Sequence, residues 1–115
     1  MTLEECIEKG YTIAFARSWA QEQVKVWNLL QPLEGNRGWD ALMAMVAEQA
    51  AELADEADAI DLSQQFADRE MVRLMTRWKV KTELLSVLRD ARQANQDAVR
   101  ILTQIETQEK EQGNA

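Results

Sequence analysis

At 115 residues the chain has room for one modest domain and a short core. Hydrophobic residues make up 46% and charged residues 29%, the balance of a folded chain rather than a disordered one. A net charge of −7, no histidine and a single cysteine argue against phosphate-backbone binding, imidazole chemistry and an intrachain disulfide.

The first predicted helix covers about residues 2–30. Thr2 and Glu5 have capping-box spacing, in which the hydroxyl and the carboxylate exchange bonds with each other's backbone N–H. Gly10 is a point where this helix can kink or restart near Tyr11. Pro32 disfavours helix at the residue before it, so the helix should end by Leu30. Along it, Phe15, Trp19, Val26 and Leu30 share one side, and Ile13, Ala20, Val24 and Trp27 an adjacent one. Together these faces are wider than one neighbouring helix can bury. Trp19 and Trp27 are therefore candidate contact residues, because large aromatics dominate interface energetics. The alternative is a central bundle helix.

Gln31–Gly38 is the one clear loop. Between Trp39 and Gln112 there is neither Gly nor Pro for 74 residues, and no segment alternates as a strand would. The second predicted helix runs over about 39–60. Trp39, Leu42, Val46, Ala50, Leu53, Ala57 and Ile60 form its apolar stripe, opposite Glu48, Glu52, Asp55 and Glu56. Asp61 with Gln64, or Ser63, offers a turn and a cap for the third helix, expected over 63–109. Unbroken, that helix would be about 70 Å long, longer than a compact domain of this size. Its far end is expected to project. Residues 110–115 are a polar tail of the kind that frays.

Within the third helix, Leu84, Leu88, Ala91, Asn95, Ala98, Leu102 and Ile105 are spaced 4-3-4-3-4-3, the a/d spacing of a coiled coil. Asn95 on that seam can set register and oligomer state. These seven residues are the leading candidates for an oligomer or partner interface. The alternative is that the stripe packs on the chain's own first two helices. The expected architecture is all-α: a three-helix antiparallel bundle or hairpin, one domain over 1–109, with a C-terminal helix extending as a coiled coil.

Charge is uneven. Residues 1–62 carry four basic against twelve acidic side chains (−8), residues 63–103 eight against five (+3), and residues 104–115 net −2. Arg69, Arg73, Arg77 and Lys81 recur every four residues and share a face. With Trp78 and Lys79 nearby they could meet nucleic acid, but the acidic whole disfavours that partner. The acidic helix offers them a counterpart instead.

Glu48, Glu52, Asp55 and Glu56 invite comparison with Mg²⁺ sites built from carboxylates on helices. Here the chain resembles, over one helix, the all-α nucleotide pyrophosphatases of the MazG type. The resemblance implies an E-x-x-E pair facing an E-x-x-D pair. Glu48 and Glu52 are four apart, and Glu83 is followed three residues on by Ser86, so the chain departs from that pattern at the ligands themselves. Cys6 sits among Glu4, Glu5 and Glu8, acidic neighbours where an activated cysteine nucleophile would need basic ones. No Gly-rich phosphate loop or CxxC is present. The expectation is no catalytic residue, no metal and no cofactor.

The start of the chain, MTLEECIEKG, has no basic n-region, and the longest apolar run, Ala41–Ala47, is far short of the ~20 residues that span a bilayer. An intracellular, cytoplasmic, membrane-free protein is expected, either free or within a larger particle. Its expected role is a non-catalytic, oligomeric accessory, adaptor or structural subunit acting through helix contacts with protein partners. The alternatives are an acidic inhibitor that mimics nucleic acid, and the Mg²⁺-dependent hydrolase.

Overall fold

The computed structural model describes residues 1–113. They form five α-helices: α1 (Leu3–Glu8), α2 (Ile13–Leu30), α3 (Arg37–Asp58), α4 (Ala67–Leu85) and α5 (Val87–Gly113). No strand occurs among the described residues.

The capping box is present: the Glu5 N–H donates to Thr2 Oγ1 at 3.1 Å and the Thr2 N–H to Glu5 Oε2 at 3.4 Å. The helix it starts stops at Glu8 rather than running on to Leu30. Gly10 takes φ +81, a left-handed conformation that only glycine adopts freely, and the Tyr11 N–H closes back on the Cys6 carbonyl at 2.9 Å. Thr12 then caps α2 by accepting from the Phe15 N–H at 3.0 Å. The expected helix 2–30 is thus two helices, restarted after Gly10. A 3₁₀ turn, Gln31–Leu33, follows α2 at Pro32. Asn36 Oδ1 accepts from the Trp39 N–H at 2.9 Å and starts α3 two residues before the expected position.

Asp61 makes the expected turn, accepting from the Ser63 N–H (3.0 Å) and hydroxyl (2.7 Å). Its carboxyl is held below the ordinary aspartate value chiefly by the Ser63 hydroxyl, then by the Ser63 N–H and Gln64. Helix resumes only at Ala67, and its N-cap Phe66 sits at φ 66, ψ 12 with no side-chain cap bond.

The expected continuous helix 63–109 is also two helices, parted at Ser86, whose φ of −97 and ψ of 1 leave the helical region. The Ser86 N–H and hydroxyl both donate to the Glu83 carbonyl, at 3.2 and 3.1 Å, so the side chain supports the local turn. Helical phase also differs across the break. At 100° per residue, Ala67, Met71, Leu74 and Trp78 share one face of a continuous helix. Ala98, Ile101 and Ile105 would fall about 180° away. On one straight helix the two stripes would lie on opposite sides.

Two compact units result: Met1–Pro32 with the chain from Leu88 onward, and Leu33–Val87. Where one core is expected, each unit has its own. In the first, Leu3 and Cys6 of α1, Ala16 and Ala20 of α2, and Ala98, Ile101 and Ile105 of α5 form a buried cluster, flanked by Met1, Trp19, Val24 and Leu102. Three alanines at the contact let the helix axes approach closely. At its margins the N-terminal ammonium pairs with Asp97 at 3.0 Å, and Arg17 pairs with Glu109. In the second unit, α3 and α4 form a helical hairpin in which Leu53, Ala57 and Leu74 pack with Ile60, Met71 and Trp78. The expected polar tail is helical through Gly113, and residues 114–115 lie outside the described residues.

Candidate interaction surface

The seven-residue seam does not lie on one uniform surface. Ala98 and Ile105 are buried in the core of the first unit and Leu102 packs against it. Leu88, Ala91 and Asn95 are half-buried on α5. Leu84 belongs to α4, across the Ser86 break, and is exposed. The buried stripe of α5 is rotated from the predicted seam toward Ile101, which is fully enclosed. The projecting apolar edge expected there is occupied over its distal half by the chain's own α1 and α2. Of the two tryptophans, Trp27 is 7% exposed and Trp19 is half-buried against the same core.

Parts of the two charged stripes come together within the hairpin. Glu52 and Glu56 of α3 line one cleft of the hairpin together with Arg77 and Lys81 of α4, and Lys81 Nζ donates to Gln49 Oε1 at 2.8 Å. Arg73 pairs with Glu70, which lowers the Glu70 carboxyl below its ordinary value and raises the guanidinium, with Glu56 adding a smaller electrostatic contribution to Arg73. Arg69 lies over the Phe66 ring, 5.1 Å from its centroid. The helix across from Glu52 and Glu56 therefore presents cations, where the carboxylate-lined Mg²⁺ site would need a second pair of acids. Among the described residues, no group of three or more His, Cys, Asp or Glu side chains is gathered so as to hold a metal ion. Cys6 is free and buried. No helix among the described residues is long and apolar enough to cross a membrane.

What the structure adds, and the sequence did not single out, is the tip of the α3–α4 hairpin. Leu62 is 69% exposed, Phe66 58% and Val72 66%. Adjoining shallow depressions connect them. Leu62, Phe66, Asp68 and Arg69 line one, and Asp68, Arg69, Val72 and Arg73 line the next. Phe66 is the only non-glycine residue with positive φ among the described residues. For a bulky aromatic that conformation costs about 1–2 kcal/mol, and here no side-chain cap bond accompanies it. A second exposed aromatic group lies on the first unit, where Tyr11 and Phe15 stack at 4.5 Å beside the exposed Ile7 and Ile13. The signal for the tip was available: Leu62 and Phe66 stand in a polar connector, DLSQQF, where apolar side chains have no helical stripe to join.

No family model, curated protein or solved structure matches the chain.

Proposed function

We propose that this chain is a non-catalytic interaction protein, an accessory or adaptor subunit, and that its contact surface is the tip of the α3–α4 hairpin. The observation that carries the reading is the exposure of Leu62, Phe66 and Val72 together, with Phe66 held in a strained conformation outside the hairpin core. Monomeric surfaces tolerate scattered apolar residues, but a contiguous group centred on an aromatic and an arginine has the composition of a binding hot spot. The predicted seam is a weaker candidate, because its Ala98 and Ile105 are already covered within the first unit.

The reading is tested by placing a photo-crosslinking amino acid at Leu62, and at the exposed Gln21 of α2 as a control, in the source cells. A discrete adduct from position 62, absent from position 21 and lost with Val72→Asp, is the expected result. Equal labelling from both positions, or no adduct from position 62, would refute an interaction role for the tip.

A further inference from the structure

α1 is the smallest helix of the first unit, and it is tied down at its two ends by different means. Its six residues are too few to hold a helix in water alone, so its helicity depends on docking. At its C-terminal end Gly10 turns the chain at φ +81, with open space where a Cβ would stand, and Thr12 gives α2 a cap of its own. α1 can therefore leave the core without unwinding α2. At the other end Met1 packs against the buried cluster, and its α-ammonium donates to Asp97 Oδ2 at 3.0 Å across a separation of 96 residues. Both partners of that pair are largely covered. Gln93 Nε2 donates to the other Asp97 oxygen at 3.1 Å, which positions the carboxylate without neutralising it, and Arg100 attracts it more weakly. Between the turn and the pair lies Cys6, the only cysteine of the chain, with none of its surface exposed.

We infer that α1 is a flap, hinged at Gly10 and latched by the charge on the Met1 α-amino group, and that acylation of this group is the modification that releases it. An acyl thioester supplies the acyl group. The C–N bond forms as the C–S bond breaks, one proton of the ammonium leaves with the thiol and a second goes to water. The amide that results is neutral, so Asp97 keeps its negative charge and loses its ammonium partner, and a largely covered carboxylate is destabilising when left without one. The amine is open to this reaction until Asp97 has been synthesised and the latch can form. With the flap open, Leu3 and Cys6 leave the core and the thiol meets solvent.

Cys6 reports the flap directly. The full chain is prepared with a free α-amino group and, by co-expression with an N-terminal acetyltransferase, acetylated there, each form being checked by mass. Both forms of the wild-type chain and of Asp97→Asn are then reacted with a chromogenic aromatic disulfide under native conditions. Acetylation is expected to speed Cys6 labelling about fivefold in the wild-type chain, but less than about twofold in Asp97→Asn, where the latch is already missing. Labelling should change little in low urea, since opening a short flap exposes little surface. Circular dichroism confirms that each form is folded. Equal labelling of the free and acetylated wild-type chains, or an acetylation effect just as large in Asp97→Asn, overturns the latch. Labelling that climbs with urea as steeply as global unfolding overturns the flap, because Cys6 would then be uncovered only with the whole core.

Discussion

Phe66 and Asp97 show two ways in which a single residue sets stability here. Phe66 occupies a backbone region where a side chain crowds its own carbonyl, so replacing it with glycine removes strain. Phe66→Gly is expected to raise unfolding stability by about 0.5–1 kcal/mol despite the greater freedom of glycine in the unfolded chain and the loss of the Arg69 contact. Thermal unfolding read by circular dichroism checks the sign. A fall in Tm would mean that the ring contributes more than its backbone costs. Asp97 works the other way. The N-terminal ammonium, first among its causes, holds the Asp97 carboxyl below the ordinary aspartate value, with Gln93 and Arg100 adding to the effect. A carboxyl depressed in the folded state stabilises the fold above its unfolded pKa, near 4, and loses that contribution as pH falls through the lower folded value. The pair is partly exposed, so Asp97→Asn should cost about 0.5 kcal/mol at pH 7. The difference from wild type should shrink as pH drops below about 4, in urea titrations at a series of pH values.

At the scale of elements, burial separates residues that look alike in sequence. Leu74 and Ile101 are enclosed in the two cores, whereas Leu84 keeps 40% of its surface. Leu74→Ala and Ile101→Ala should each cost about 2–4 kcal/mol, and Leu84→Ala under about 1 kcal/mol, by chemical denaturation. Equal losses at Leu84 and Ile101 would return weight to the predicted seam. Much of the element structure was legible before the fold was seen. The Thr2–Glu5 box, the helix end at Pro32 and the Asp61 turn follow from local chemistry, and the structure has all three; of the predicted stripe from Trp39 to Ile60 it buries Val46, Ala50, Leu53 and Ala57 and leaves Leu42 exposed. Other boundaries were missed because the deciding signals are weak alone. Asn36 is an ordinary cap hidden in a Gly-rich loop, and Ser86 ends a helix without glycine or proline. The half-turn slip between the stripe through Leu74 and that through Ile101 was present in the spacing. A heptad through Leu84 and Leu88 conceals it, since that spacing takes Leu102 and Asn95 rather than Ile101 and Ala94. The surface at Leu62 and Phe66 was the least legible. Exposure at a loop tip depends on how the hairpin closes, and periodicity does not describe loops.

For the molecule as a whole, the two units are threaded differently. The α3–α4 hairpin is continuous in sequence, while the first unit joins Met1–Pro32 to the chain from Leu88 onward. Ending the chain after Val87 would remove Ala98, Ile101 and Ile105 and uncover Leu3, Cys6, Ala16 and Ala20. Hydrogen exchange on that truncated chain should find the amides of α1 and α2 losing most of their protection while those of α3 and α4 keep theirs. Loss of protection in all four helices together would show that the hairpin depends on the first unit.

The joining of distant ends also imposes an order on how the protein comes into being. A ribosome delivers α1 and α2 before the hairpin and α5 after it, so the apolar sides that α5 covers must wait through the whole synthesis of the hairpin. The hairpin needs only its own neighbours and can settle during that interval. Newly made chain is thus vulnerable to chaperone capture or clumping at α1 and α2, and that exposure ends only when α5 emerges.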